Sequence, residues 1–373
     1  MRDGDLGENC RVDDGEATRR DALVERLFVA AVGTMDLYGV FLGDRLGLYR
    51  ALADGGPLTS GELAARAGIH ERYAREWLEQ QAAGSIVDVD DAGVGPLERR
   101  YSLPSGHEEA LLDRSSLNYA APFGRFIVAC ARPIDALLEA FRTGAGVPYE
   151  QYGVDLYEGQ AAFTRPLFEN LLGAEWFPSI PDLHDRLNAD PPALVADIAC
   201  GGGISSIALA RAYPNVRVDG IDLDEASIAL ANTNLAGSGV ESRVRFHHRD
   251  AADPVLAGRY DLVTVFEALH DMSRPVDVLR SIRSLLTDGG SAIVGDERTE
   301  DSFTAPAGDV ERLYYGFSIM HCLPVGMTGD DPVGTGAVMR AHTVAQYGRE
   351  AGFAEVERLP IQHDFWQFYR LRG

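Results

Sequence analysis

The stretch Val195-Ala-Asp-Ile-Ala-Cys-Gly-Gly-Gly-Ile204 constrains this chain more than any other. It reads as a buried strand that enters a glycine turn and leaves it as a helix. Asp197, Ala199, Gly201 and Gly203 fall at alternate positions. Small residues let a ligand come close to the backbone, and the N-terminus of the following helix carries partial positive charge. A turn of this kind needs a sheet around it.

The downstream sequence supplies one. From about Glu175, strands and helices alternate. Strands are predicted at Ala193–Ala199, Val216–Asp222, Val244–His248, Tyr260–Phe266 and, after an Asp288-Gly-Gly290 turn, Ser291–Val294. Helices are predicted at Ile204–Tyr213, Glu225–Leu235 and Pro275–Leu286, and two closing strands at Ala354–Leu359 and Phe365–Leu371. The alternation predicts an α/β domain over 175–373: a Rossmann-like, doubly wound, mainly parallel seven-stranded sheet. Ligands of such sheets bind outside the carboxyl ends of the strands. There, Asp222 is placed to accept from ribose hydroxyls, Asp250 and Ala251 follow strand three beside a possible adenine, and Phe266-Glu-Ala-Leu-His-Asp271 closes strand four.

The upstream part is expected to be mostly helical. Residues 1–20 read as a mobile tail and 21–174 as a domain of their own. Helical patterns run from Asp21 and through 36–54. A short helix is capped by Thr59 or Ser60 and stopped by Gly68, and a second runs from His70 to Ala83 with Tyr73, Trp77 and Leu78 turned inward. Strands over 85–89 and 99–103 then form a wing. This winged-helix pattern has two readings, DNA binding or a dimerisation scaffold. The second helix mixes Arg72 and Arg75 with Glu71, Glu76 and Glu79, which suits the scaffold better. Further helices are expected at 106–113, 118–142 and 157–172. The glycine-rich link 144–153 carries Tyr149 and Tyr152, which either touch a ligand or simply pack. Arg125, between Phe123 and Phe126, is either a carboxylate clamp or a surface arginine.

Charge narrows the partners. Lys and Arg total 34 against 57 Asp and Glu, a net charge of -23, which repels phosphate backbones and anionic membranes. Nucleic acid and membrane partners are therefore not expected, and no apolar run is read as reaching the length of a membrane span. Cys10, Cys130, Cys200 and Cys322 are far apart and not at zinc-ligand spacing, which suits a reduced, cytoplasmic protein.

These motifs together resemble the class I S-adenosylmethionine-dependent methyltransferases. Asp197-Ile-Ala-Cys-Gly-Gly-Gly203 resembles the family's first motif, Asp-x-Gly-x-Gly-x-Gly, with Ala199 in place of the first glycine. Gly220-Ile-Asp-Leu223 and Asp250-Ala251 resemble its second and third cofactor motifs. The winged-helix front end narrows the resemblance to small-molecule methyltransferases that dimerise through such a domain, many of them bacterial and active in secondary metabolism. The resemblance implies that Gly201 and Gly203 line the methionine part, with Asp197 and Ala199 also in the cofactor site. It places Asp222 and Leu223 at the ribose, Asp250 and Ala251 at the adenine, and Phe266 nearby. A nicotinamide enzyme would also use a glycine turn and an acid after strand two. It would not account for Asp250-Ala251 or for Leu-His-Asp after strand four.

Two chemistries follow. In O-methylation, the first choice, His270 beside Asp271 acts as general base on a hydroxyl. In the second, His270, Asp271 and His321 hold a divalent or ferric metal ion that assists C-methylation of a 2-oxo acid. His321 lies in an apolar helical run, where it serves as substrate contact, metal ligand or plain core. Asp296 and Glu297 either orient His270, touch substrate or are exposed loop acids, and His247 and His248 are expected to pack or face solvent. A protein that binds S-adenosylmethionine without transferring methyl is a further alternative.

Overall fold

The computed structural model describes residues 14–250 and 258–373. The chain divides into two compact units after Ser105.

In the first unit, α1 (Asp14–Arg45), α2 (Leu48–Gly55), α3 (Ser60–Ala67) and α4 (Glu71–Ala83) precede a short antiparallel pair, β1 (Asp88–Val89) and β2 (Tyr101–Ser102). Gly47, at φ 67°, separates α1 from α2. Thr59 and Glu62 form a reciprocal capping box at the start of α3, and Gly68 ends it in the left-handed region, as its sequence signals. Tyr49, Leu52, Leu63, Leu78 and Tyr101 form the core, and the Trp77 indole donates to the Gly39 carbonyl at 2.9 Å. Tyr73 departs from expectation: it is 77% exposed, because α4 turns its Ala74–Trp77–Leu78 face inward. The α4 charges pair locally, Arg72 with Glu76 and Arg75 with Glu71, so the helix presents no free basic face.

Two expectations about the N-terminal region need correction. The stretch from Asp14 to Arg20, assigned to a tail, already belongs to α1; residues 1–13 lie outside the described part. One helix is also long and apolar enough to cross a membrane: Gly15–Arg45 has a window of mean hydropathy 1.4, of which 17% is buried. Leu23, Val24, Leu27, Phe28, Val29, Val32 and Met35 are exposed along it.

The second unit begins with α5 (Ser105–Leu112), α6 (Pro122–Ala131), α7 (Ile134–Thr143) and α8 (Val154–Leu167), which widens into a π-helical stretch at Phe168–Trp176, and then α9 (Pro181–Asn188). The single helix expected over 118–142 is interrupted at Pro133, which cannot donate to the preceding turn. The boundary expected at 174/175 falls instead after Ser105. The reason is packing: Ala161, Phe168, Leu172 and Trp176 share one apolar layer with Val195, Ile204 and Phe368 of the sheet domain.

The chain then alternates: β3 (Leu194–Ile198), α10 (Ile204–Ala212), β4 (Arg217–Asp222), α11 (Glu225–Leu235), β5 (Val244–His248), β6 (Tyr260–Phe266), α12 (Pro275–Leu285) and β7 (Leu286–Glu297). α13 (Asp309–Phe317), α14 (Leu323–Gly326), α15 (Ala341–Glu350), β8 (Glu355–Arg358) and β9 (Trp366–Arg372) complete it. Among the described residues the sheet has seven strands in the order β5-β4-β3-β6-β7-β9-β8, parallel except for β9, which is antiparallel to both neighbours. β7 starts earlier than expected. Asp288-Gly-Gly290 lies inside it, and the register against β6 shifts between Tyr260 and Leu262, so these glycines absorb an irregularity within the strand. Separate apolar layers cover the two faces. The strand order reverses between β3 and β6, which opens a crevice at their carboxyl ends.

Candidate active site

That crevice holds a cavity of about 630 Å³. The ends of β3, β4 and β5 line one part of it, from Ala199–Gly202 through Asp222–Leu223 to Arg249–Asp250. The ends of β6 and β7 line the other, with Glu267, His270, Asp271 and Glu297.

The glycine turn is built for close approach. Ala199, Gly201 and Gly203 have φ of 54°, 50° and 72°, in the left-handed region that favours glycine. A Cβ on Gly201 would meet nothing within 4 Å, whereas one on Gly203 would lie 2.3 Å from the Phe246 ring. Asp222 accepts from the N–H of Gly201 and of Asp224, each at 2.8 Å, which ties the end of β4 to the turn. Burial pushes its carboxyl above the usual range. Asp197 is committed inward: Ser205, Ser206 and Thr264 hydroxyls donate to it at 2.6, 2.6 and 2.8 Å. These bonds pin α10 and β6 to β3, so Asp197 acts as a positioning residue. Leu223 is mostly exposed, and its carbonyl accepts from His248 Nε2 at 2.9 Å. Asp250 lines the cavity, while Ala251 lies outside the described residues. The Phe266 ring stacks on Trp366 at 6.2 Å.

At the other end, His270 is buried on a short helical turn after β6. Its Nδ1 lies 2.8 Å from Asp296 Oδ1 and 2.8 Å from Glu297 Oε2. Burial alone would lower the imidazole, but the Glu297 and Asp296 carboxylates outweigh it and raise His270 well above its ordinary value. One Nδ1 proton cannot serve two carboxylates. Burial raises Glu297, while Asp296 is held below its usual range despite burial, by His270 and by the Glu297 N–H. Asp296 and Glu297 are therefore not exposed loop acids; they orient His270.

Glu267 was legible only as part of the stretch after strand four. It adopts φ 48° and accepts from Gln160 Nε2 and Trp366 Nε1, each at 2.5 Å. Burial pushes its carboxyl up to about 7. A bulky residue held at positive φ is costly and is often found where a side chain must be aimed. Asp271 is also raised to about 7, chiefly by burial.

His321 lies in a π-helical stretch, Ser318–Cys322, with Tyr149 and Tyr152 edge-on to its ring at 5.8 and 4.7 Å. Burial, then the charge of His270, pushes it down to about 3, and its sealed Nε2 has no hydrogen-bond partner. Tyr149 lines the cavity. Tyr152 is core instead and donates to the Met320 carbonyl at 2.9 Å. The carboxylate clamp proposed for Arg125 is also overturned: Arg125 is ion-paired with Glu158 at 2.8 Å and does not line the cavity.

The expected metal set is not gathered. Among the described residues, the histidine and acid atoms that lie within 4.8 Å of one another belong to His270, Asp296 and Glu297, not to His270, Asp271 and His321. Nitrogen and oxygen ligands of one zinc ion, each roughly 2.0–2.2 Å from it, stand roughly 3 Å or more apart. The 2.8 Å separations here fit a shared proton better.

Comparison with known proteins decides the family. A family described as "Methyltransferase domain" matches residues 192–346, and one described as "Rv2258c-like winged HTH domain" matches residues 35–114. A ubiquinone biosynthesis O-methyltransferase of Aromatoleum aromaticum is 31% identical over 203 residues, covering 54% of this chain and 78% of that protein. The chain belongs to the S-adenosylmethionine-dependent methyltransferases. The ubiquinone biosynthesis O-methyltransferase of Marinobacter nauticus is 35% identical, and the match covers 34% of this chain and 58% of that protein, little more than half of it. Among solved structures, the mitomycin 7-O-methyltransferase MmcR has a TM-score of 0.66 at 19% identity, covering 96% of this chain and 100% of its own. Human N-acetylserotonin methyltransferase with bound S-adenosylmethionine has a TM-score of 0.64 at 18% identity, covering 99% of each chain. These two likenesses show a shared fold.

Proposed function

We propose that this methyltransferase transfers a methyl group to a hydroxyl of a small aromatic molecule, with His270 removing the hydroxyl proton. The observation that carries this reading is the seating of His270 Nδ1 between Asp296 and Glu297, each at 2.8 Å. Nδ1 is engaged by the two carboxylates, and Nε2 is left to serve an acceptor in the cavity that the ring lines, with the buried Cys322 thiol also within hydrogen-bond reach of the imidazole. Once the imidazolium has released its Nε2 proton, that nitrogen takes the proton of an acceptor hydroxyl, and Asp296 stabilises the returning positive charge. When bound, S-adenosylmethionine supplies an electrophilic methyl carbon, so the protein's main work is alignment and proton removal.

The cofactor would lie along the ends of β3, β4 and β5. Three observations support that placement: the open space over Gly201, the turn-facing Asp222 carboxylate, and a continuous lining as far as Asp250. Asp222 and Leu223 would meet the ribose, Asp250 the adenine, and Gly201 and Gly203 the methionine part. The names of the relatives, O-methyltransferases of ubiquinone and mitomycin, support oxygen as the methylated atom and natural-product-like acceptors.

A homodimer in a reducing, cytoplasmic setting belongs to the same reading. The exposed apolar residues of α1 are suited to cover one another, and Cys130, Cys200 and Cys322 are free thiols. Sedimentation of the full chain should give twice the chain mass; a monomer at micromolar concentration contradicts this part.

The function is tested by incubating the protein and S-adenosylmethionine with a panel of hydroxyarenes and reading product mass and the methylated atom. Oxygen-methylated product supports the reading. Transfer only to carbon or nitrogen, or none to any acceptor, refutes it.

A further inference from the structure

The cavity is chemically uneven. Among its described lining residues the arginines are Arg249, which follows β5 on the cofactor side, and Arg274, which is ion-paired with Asp277; there is no lysine. At the ends of β6 and β7 the charged groups are Glu267, Asp271, Glu297 and His270, and the charge of His270 is already matched by its own carboxylates. The adjoining wall is aromatic. Phe123 and Phe126 from α6, Phe163 from α8 and Phe317 from α13 meet edge to face, with centroids 5.2–5.7 Å apart. His321 also lines the cavity, and its Nε2, closed off from solvent, has no hydrogen-bond partner.

We propose that the acceptor is a flat hydroxyarene without a carboxylate or phosphate group, uncharged or amine-bearing, and that a second polar group on it hydrogen-bonds to His321. The proposal rests on the methyl-transfer reading and specifies its substrate class. An anionic acceptor would have to shed its hydration beside three carboxyl groups, with no guanidinium or ammonium free to receive it at that end. A planar ring matches the edges and faces of the phenylalanine wall. A buried ring nitrogen left without a partner is costly, and an acceptor hydroxyl or amine that meets Nε2 after a small shift of the His321 ring relieves that cost. Burial keeps His321 neutral, so it offers a hydrogen bond without attracting an anion.

The test uses three matched catechols and the full-length protein saturated with S-adenosylhomocysteine: 4-methylcatechol (neutral), dopamine (cationic) and 3,4-dihydroxybenzoate (anionic). Calorimetry near neutral pH should show the anion binding at least about tenfold more weakly than the other two. Equal or tighter binding of the anion overturns the proposal, as does failure of all three to bind at millimolar concentration. His321→Phe keeps a ring in place. It should weaken 4-methylcatechol about tenfold while S-adenosylhomocysteine affinity stays within about twofold; unchanged acceptor affinity overturns the role of His321. If His321→Phe does not bind S-adenosylhomocysteine, His321→Asn replaces it, with the same criteria. Methyl transfer to the same catechols is read separately. Binding in the expected order without any transfer would defeat the methyl-transfer reading and leave the charge preference intact.

Discussion

His270 Nδ1 and Asp296 Oδ1 lie 2.8 Å apart in the interior, with Glu297 at the same distance from the same nitrogen. The pair fixes the ring and also sets its proton affinity. His270 is raised above its ordinary value, so the proton-accepting imidazole forms only as pH rises through that raised value. Activity should therefore climb into the alkaline range. Asp296→Asn removes one of the two carboxylates, so the acid limb of its kcat profile should move to lower pH while kcat at the plateau falls by at least about tenfold. A limb that stays in place contradicts the coupling.

Ala199 carries φ 54° where glycine would be unstrained. A left-handed L-residue costs roughly 1–2 kcal/mol, and glycine gives part of that back through the freedom of the unfolded chain. Ala199→Gly should leave stability unchanged or raise it by up to about 1 kcal/mol in denaturant unfolding. A loss larger than about 1 kcal/mol would show that the methyl group packs more than it strains.

Gly203 is the opposite case. An added Cβ would lie 2.3 Å from the Phe246 ring, at φ 72°. Gly203→Ala should cost roughly 2–5 kcal/mol, combining backbone strain and overpacking. It should also weaken cofactor binding. Phe246→Leu in the same chain should restore part of the stability, because the clash is with the ring. Failure of that rescue would place the cost in the backbone alone.

Glu267 is raised from 4.5 to about 7, so between those values the folded protein holds a proton that the unfolded chain has released. Its contribution to stability is full below the unfolded value and is lost as pH rises through about 7, on the order of 1 kcal/mol per pH unit. Glu267→Gln lacks this ionisation. Urea unfolding across that range should show the wild type losing stability relative to the variant as pH rises. A constant difference would mean that Glu267 does not titrate there.

Much of the sheet domain was legible because its signals are local. The bounds of β5, β6 and α11 match those expected from the alternation of strands and helices. The start and stop of α3, expected at Thr59 or Ser60 and at Gly68, were legible for the same reason, and the Glu62 half of its capping box was not read. The catalytic end was harder to read. Glu267 gains its partners from Gln160 and Trp366, 107 and 99 positions away, and no window of sequence joins them. Asp296 and Glu297 come under His270 only because β7 pairs beside β6. The metal set failed for a related reason: sequence order put His321 near His270 but could not show that ligand atoms from different elements stay out of mutual reach. The domain boundary was misplaced because helices earlier in the chain are covered by the sheet that follows them.

Proton removal by His270 is the central claim, and His270→Ala tests it most directly. Methyl transfer from isotopically labelled S-adenosylmethionine to a hydroxyarene should fall by about 10²–10⁴ in kcat, with cofactor affinity little changed and partial recovery as pH rises toward ionisation of the acceptor hydroxyl. Near wild-type turnover by His270→Ala, with the same pH profile, would contradict the account.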